Sequence, residues 1–190
     1  MLAINFEFPH SYKVDEIPEL PGTGKFSCPV YNFPRLKQAG RGEQDGVWLM
    51  VKPANRNPWI GVFAIGGWGH STFFTGALAT PNPDRLCVVA HGNVYFVDVN
   101  DPDRWEALDL PSVSAPLQIK ERNLIVFPFF SNLTAYGTNG PVWRSSLLCA
   151  DDLRVEAITR NTIECSGYDP RVAEREHFDV DLETGELIEG

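Results

Sequence analysis

The chain has 190 residues, 43% of them hydrophobic and 22% charged, which is an ordinary composition for a globular protein. It carries 16 Lys and Arg against 25 Asp and Glu, a net charge of −9, and it lacks the clustered cations that bind nucleic acids or anionic membranes. Its 16 Gly, 15 Pro and 12% aromatic residues are typical of short strands joined by turns. We therefore expect an all-β protein that binds neither nucleic acid nor membrane.

The amino-terminal residues and the cysteines indicate a cellular compartment. Residues 1–9 lack the basic start and apolar core of a secretory signal, and the apolar runs 61–68 and 124–130 are shorter than the ~20 residues of a membrane span. The four cysteines have no Cys-x-x-Cys spacing: Cys28, Cys87, Cys149 and Cys165. Scattered thiols in a chain without a signal are typical of a reducing environment. We therefore expect a soluble cytoplasmic protein with four free thiols.

Residues 1–45 differ from the rest of the chain in their density of chain-breaking residues. Five prolines and two glycines fall between positions 9 and 34, and such residues are typical of loops. This pattern predicts a loop-rich lead-in with one strand over 26–31. Because no shift in composition marks a boundary, we expect a single domain over residues 1–190.

The rest of the chain is self-similar, with strand-like apolar segments that recur at a constant interval. These segments are 48–51, 86–89, 124–127 and 162–165. Trp105 and Trp143 are separated by the same interval, and Trp68 falls within one residue of the same phase. A period of about 38 residues predicts stacked supersecondary units. The predicted units are 46–83, 84–121, 122–159 and 160–190, with Trp105 and Trp143 at equivalent buried positions.

One unit illustrates the predicted internal order. In 84–121, strand-like segments lie at short intervals: 86–90, 94–99, 105–110 and 116–120. Between the first two, His91-Gly92-Asn93 predicts a tight turn because Gly tolerates positive φ. Four short strands at this spacing are typical of meanders, barrels and propeller blades. The last unit departs from this order through an insertion around 167–176.

The end of the last unit resembles a known repeat family. Phe178, Val180 and Leu182 alternate with acidic residues before Thr184-Gly185, a pattern similar to the outer hairpin of WD-repeat and related β-propeller blades. The stretch 143–185 also resembles small bacterial proteins of unknown function. These resemblances imply a fold and no activity. They imply an all-β, propeller-like antiparallel meander of about four units, closed or open, with a two-sheet β-sandwich as the alternative.

One local cluster stands out as a candidate ligand site. It combines three glycines, an aromatic ring and an imidazole: Gly66, Gly67, Trp68, Gly69 and His70. Glycines let a ligand approach the backbone, while Trp68 can stack on it and His70 can form a hydrogen bond. The cluster is neither a Gly-x-Ser-x-Gly elbow nor a phosphate loop. The alternative is a glycine-rich turn in which Trp68 is buried at the repeated Trp phase.

The sequence contains no pattern that predicts a metal, a cofactor or a catalytic residue. The four histidines lack zinc-ligand spacing, and the segment 98–103 departs from a calcium loop because Pro102 stands where a ligand is needed. Two aromatic pairs, Phe73-Phe74 and Phe129-Phe130, predict an interaction surface instead. Neighbours on a strand face opposite sides, so one ring of each pair must be covered by another layer or exposed to a partner.

These observations leave three functional hypotheses open. The first is a non-enzymatic binding or protein-interaction module in a bacterial cytoplasm. The second is an acidic, immunity-type inhibitor of a basic toxin, since a charge of −9 speeds association with a cationic partner. The third is an enzyme with a site near Trp68 and His70. Fold resemblance does not choose among them.

Overall fold

The computed structural model describes residues 2–18, 25–34, 46–65, 74–108, 113–171 and 173–188. Within these ranges the chain is all-β, and its strands form four sheets of four or five strands. The only helical element described is a single 3₁₀ turn at Lys120–Arg122, so no described helix has the length or apolarity to cross a membrane. The predicted fold class of propeller-like meander units is confirmed, and the two-sheet sandwich is not formed.

The chain divides into two compact units, Met1–Ser112 and Val113–Gly190. The first unit contains two sheets. In spatial order, one sheet consists of β2 (Tyr12–Glu16), β4 (Gly46–Pro53), β5 (Trp59–Ala64) and β3 (Val30–Phe33). The other consists of β1 (Ala3–Asn5), β6 (Gly76–Ala79), β7 (Arg85–Ala90), β8 (Asn93–Asp98) and β9 (Trp105–Leu108). All pairs are antiparallel except β1 with β6 and β3 with β5.

The predicted structure of the lead-in was wrong in the number and position of strands. The described part of residues 1–45 contributes three strands, β1, β2 and β3, and the strand expected at 26–31 lies at Val30–Phe33. Each of the three is an edge strand that pairs with an inner strand of its sheet. Edge strands need only one hydrogen-bonded neighbour and tolerate flanking prolines, so they leave little apolar pattern in the sequence.

The second unit also contains two sheets, and all of their strand pairs are antiparallel. One consists of β10 (Leu117–Ile119), β11 (Leu124–Phe129), β12 (Asn132–Gly137) and β13 (Gly140–Arg144). The other consists of β14 (Asp151–Ile158), β15 (Thr162–Asp169), β16 (Glu174–Asp181) and β17 (Leu187–Ile188). The sequence pattern assigned the strand at 116–120 to the unit 84–121, but β10 pairs with β11 and so belongs to the following sheet.

The four regularly spaced apolar segments form corresponding strands. They lie in β4, β7, β11 and β15, and each of these strands has a hydrogen-bonded neighbour on both sides. An inner strand is paired at both edges, and each of these four strands contains at least two buried apolar residues. All six residues of β11, for example, are buried.

The predicted turn after β7 is confirmed. Ala90 pairs with Asn93, so the hairpin loop has two residues, and both have positive φ: 48° at His91 and 87° at Gly92. Two successive positive φ values match the right-handed twist of the flanking strands.

A tryptophan connects the two sheets within each unit. In the first unit, the Trp59 indole donates a 2.9 Å hydrogen bond to the carbonyl of Val99, which follows β8. In the second, the Trp143 indole donates a 3.0 Å hydrogen bond to the carbonyl of Leu182, which follows β16. Both rings are buried, and a buried indole N–H usually finds an acceptor.

The predicted equivalence of Trp105 and Trp143 is wrong in burial. Both lie on the last strand of their sheets, β9 and β13, but Trp143 is buried whereas Trp105 is only half-buried. Trp105 is the first residue of an edge strand and packs against Phe33 and Tyr95. Trp105 and Trp143 occupy the same position in the sequence repeat and lie on corresponding strands, but they differ in burial.

Candidate functional site

The ligand site predicted from sequence lies outside the described residues. Gly66, Gly67, Trp68, Gly69 and His70 all fall between β5 and β6 in the range 66–73. The role assigned to them therefore stays a prediction. The described part of the chain contains a different candidate, a cleft in the second unit.

This cleft has a volume of about 390 Å³ and lies between the segment 147–150 and the end of the β15–β16 hairpin. Its lining combines apolar, thiol and charged side chains: Leu147, Leu148, Cys149, Ala150, Gly167, Tyr168, Asp169, Pro170, Arg171 and Glu176. We call it the 147–171 cleft. Its size matches one or a few side chains of a ligand.

Backbone hydrogen bonds hold one wall of the 147–171 cleft in place. The amide of Leu148 donates to the carbonyl of Ser131 at 2.9 Å, and the amide of Leu153 donates to the carbonyl of Phe130 at 2.8 Å. The Asn132 side chain also donates to the carbonyl of Ser146 at 2.7 Å. The chain between β13 and β14 is therefore fastened to the β11–β12 turn, and this wall is organised before any ligand arrives.

The opposite wall depends on a glycine. A Cβ atom placed on Gly167 would lie 2.2 Å from the Cβ and 2.5 Å from the Sγ of Cys149. Cys149 therefore packs directly on the backbone of β15, which is one of the ordinary reasons for glycine inside a strand.

We expect Gly167→Ala to destabilise the protein by about 1–3 kcal/mol, the typical cost of overpacking. The added methyl group would meet the Cβ of Cys149, and the backbone of its loop is fastened to the β11–β12 turn. Urea unfolding would measure the loss. Adding Cys149→Gly to Gly167→Ala should restore most of it, because the clashing atoms are then gone. A Gly167→Ala protein as stable as the wild type would contradict this packing.

Large apolar side chains are exposed at and beside the cleft. Leu147 is 72% exposed, Phe130 is 50% exposed and Tyr168 is 38% exposed. Phe130 follows β11 directly, and its neighbour Phe129 is buried beneath the guanidinium of Arg144, 5.2 Å from the ring centre. One ring of the Phe129-Phe130 pair is thus covered and the other exposed, as expected. Phe73, of the other pair, lies outside the described residues.

Of the three charged side chains that line the cleft, Asp169 and Arg171 form an ion pair with each other, and Glu176 forms none with a described residue. Asp169 accepts hydrogen bonds from the Nε and Nη2 of Arg171 and from its backbone amide, and this cation holds the pKa of the Asp169 carboxyl at about 2. Arg171 is therefore neutralised chiefly by Asp169, and Glu176 contributes least to the raised pKa of the guanidinium. Glu176 is exposed and forms no ion pair with any described residue. The net charge of the lining is −1.

The cleft lacks the features of a nucleophilic or metal site. Burial raises the pKa of the Cys149 thiol, which donates a hydrogen bond to the carbonyl of Asp151, so the thiol is protonated at neutral pH. A reactive cysteine needs a lowered pKa, because the thiolate is the nucleophile. Among the described residues, no group of three His, Cys, Asp or Glu side chains is arranged to hold a metal ion.

The prediction of four free thiols is confirmed, and the structure adds an order of reactivity. Cys28 and Cys149 are partly exposed, whereas Cys87 and Cys165 are buried, and burial raises the pKa of Cys165 to about 12. We expect a disulfide reagent such as DTNB to label two thiols in the native protein and four after unfolding without reductant. Labelling of Cys149 should accelerate as the pH rises from 7 to 9. Fewer than four thiols after unfolding would contradict the assignment.

A second cavity, of about 340 Å³, lies in the first unit. Its lining is mostly charged: Asn82, Asp84, Arg85, Asp98, Arg104, Trp105 and Glu106. Arg104 contacts Asp98 at 2.7 Å, and Arg85 is paired with Glu106. A charged ligand would have to displace these ion pairs, so the 147–171 cleft is the better candidate.

Sequence reasoning missed the 147–171 cleft because its walls come from separate segments. Leu147 and Leu148 lie in a short stretch in which apolar and polar residues do not alternate, so no strand face is predicted for them. Gly167 lies in the segment that the repeat pattern identifies only as an insertion. The exposed Phe130 was the one signal that pointed to this surface. Contacts between segments that are distant along the chain have no spacing rule comparable to those within a helix or a strand.

No family model and no curated protein matches the sequence. Among solved structures, the chain is similar to the β-propeller domain of Cps50 (Swd1) from Myceliophteria thermophila, with 10% sequence identity and a TM-score of 0.44. The match covers 76% of this chain and 53% of that chain, so this chain spans about half the length of that structure.

Proposed function

We propose that this chain is a non-enzymatic protein-interaction module that binds a segment of a partner protein in the 147–171 cleft. The observation that carries the proposal is Leu147, which is 72% exposed at the cleft although its neighbour Leu148 is hydrogen-bonded to the β11–β12 turn. Exposed apolar side chains that line one cleft, as Leu147 and Tyr168 do, are a feature of interaction sites. Covering such a side chain contributes roughly 1.5–3 kcal/mol.

The nature of the lining supports a peptide-like ligand over a substrate. The thiol of Cys149 is protonated, and Asp169 is tied to Arg171, so neither is available for proton transfer or nucleophilic attack. Leu147, Phe130 and Tyr168 instead offer apolar surface for an anchoring side chain, which is how most binding energy is concentrated in protein interfaces.

The proposal includes the coarser features expected from the sequence. We propose a single domain over residues 1–190 that functions in the cytoplasm, and the four free thiols support a reducing compartment. We retain Gly66, Gly67, Trp68, Gly69 and His70 as a second binding surface. The third hypothesis, an enzyme, has its site near Trp68 and His70.

A second candidate function is inhibition of a basic protein, such as a toxin, by an acidic partner. It is favoured by the net charge of −9. Electrostatic complementarity of this kind raises association rates and suppresses wrong partners. It is a special case of the interaction module, and it differs in the charge of the partner.

The proposed function can be tested by selecting binders from a random 12-residue peptide library displayed on phage, with the native protein as bait. We expect selected peptides that bind Leu147→Ser about tenfold more weakly, since an anchor contact of about 1.4 kcal/mol corresponds to this factor. Leu187→Ser, at an exposed leucine of β17, is the matched control and should bind like the wild type. Peptides that bind all three proteins equally would refute the cleft as the binding site.

A further inference from the structure

We infer that the partner segment bound in the 147–171 cleft is basic, with a Lys or Arg beside its apolar anchor. The inference rests on the proposed function and names the chemistry of the partner. It follows from three observations: the charge of the second unit, the one carboxylate of the cleft without an ion pair and the neighbouring aromatic ring.

The second unit is much more acidic than the first. Val113–Gly190 contains seven Lys and Arg and thirteen Asp and Glu, so this unit carries −6 of the net charge of −9. A field of this sign attracts cationic segments over about one Debye length, roughly 8–10 Å at physiological salt, and repels acidic ones. The same field would repel an apolar segment that is flanked by acidic residues and would slow its association with the cleft.

The charged side chains that line the cleft also favour a cationic ligand. The cation Arg171 is already held by Asp169 through its Nε atom at 2.9 Å and 3.0 Å, so it is compensated within the protein. Glu176 pairs across the sheet with Gly167, in the wall of the cleft opposite the segment 147–150, and it forms no ion pair with a described residue. The uncompensated group facing a ligand is therefore a carboxylate.

Tyr168 adds a further contact that suits a cation. Its side chain is 38% exposed and lines the cleft beside the strand position of Gly167. Lys and Arg bind aromatic faces through the ring quadrupole, and their aliphatic stems cover apolar surface at the same time. Tyr168 and Glu176 lie at adjacent, oppositely facing positions of the hairpin, so a basic residue beside the apolar anchor can contact one of them while the anchor packs on Leu147.

The test uses peptides from the 12-residue library whose binding depends on Leu147, each synthesised with a fluorophore and measured by anisotropy. We expect Lys and Arg to be enriched next to an apolar residue in these peptides.

Raising NaCl from 50 to 500 mM should weaken binding about fivefold, because salt screens exposed charges. Glu176→Gln should weaken binding about fivefold, the effect of about 1 kcal/mol from one charge at contact distance in water. Glu164→Gln, an exposed carboxylate elsewhere on β15, should have less effect.

The outcomes separate this inference from the proposed function. Leu147-dependent peptides with no excess of Lys and Arg, or with affinities insensitive to salt and to Glu176→Gln, would overturn the basic partner and leave the interaction module standing. Peptides rich in Asp and Glu would overturn it more directly. If no peptide depends on Leu147, the proposed function fails, and the inference about the partner fails with it. Thermal unfolding of each variant would show that the exposed substitutions leave the fold intact.

Discussion

Trp143→Ala should lower the free energy of unfolding by about 3–5 kcal/mol, a large share of the roughly 5–15 kcal/mol that stabilises a typical domain. Trp143 is 9% exposed, and a Cβ atom on Gly185 would come within 2.5 Å of its ring, so the ring fills its site closely. Its indole also donates to the carbonyl of Leu182 at 3.0 Å. Removing the ring leaves a cavity and an unsatisfied acceptor between the two sheets of the second unit.

Urea unfolding of three variants would separate these contributions. Trp143→Phe keeps most of the buried ring and loses the hydrogen bond, so we expect a cost of about 1–3 kcal/mol from the stranded carbonyl and the smaller ring. Trp105→Ala is the matched control at the corresponding strand position, and its half-buried ring should cost less than Trp143→Ala. A Trp143→Ala protein within about 0.5 kcal/mol of the wild type, the usual spread of surface substitutions, would contradict the close packing.

Trp59→Ala should have a similar cost in the first unit, about 3–5 kcal/mol. Trp59 is 3% exposed, contacts Tyr31 edge-on at 5.7 Å between ring centres, and donates to the carbonyl of Val99 at 2.9 Å. The ring lies in the core shared by the two sheets of that unit. Its loss removes aromatic contacts and a buried hydrogen bond together.

Trp48→Ala is the control for this prediction, since Trp48 is only half-buried and stacks on Phe26 at 5.7 Å. It should lose clearly less stability than Trp59→Ala in the same urea titration. Equal losses for the two variants would mean that the Trp59–Val99 contact contributes nothing beyond ordinary apolar burial. Near-ultraviolet circular dichroism would show whether the remaining aromatic residues keep their environment.

The fold class could be predicted because strands and turns are local features. The regularly spaced apolar segments lie in the inner strands β4, β7, β11 and β15, where burial requires an apolar sequence. The His91-Gly92 hairpin could be predicted because two successive positive φ values favour glycine and a few polar residues. Edge strands β1 and β2 were missed and β3 was predicted too early in the chain, since the pairing of β1 with β6, β2 with β4 and β3 with β5 is decided by distant partners.

The sequence by itself determined the acidic charge and the strand-and-turn pattern, because each depends on composition or on immediate neighbours. For the Phe129-Phe130 pair it required only that one ring be covered by another layer or exposed to a partner. Only the tertiary structure decided that Trp143 is buried and Trp105 is half-buried, because burial depends on which element covers an edge strand. It alone placed Leu147 opposite the β15–β16 hairpin. Cys149 packs on Gly167 where the two segments that line the cleft meet, and such contacts between segments depend on the three-dimensional path of the chain.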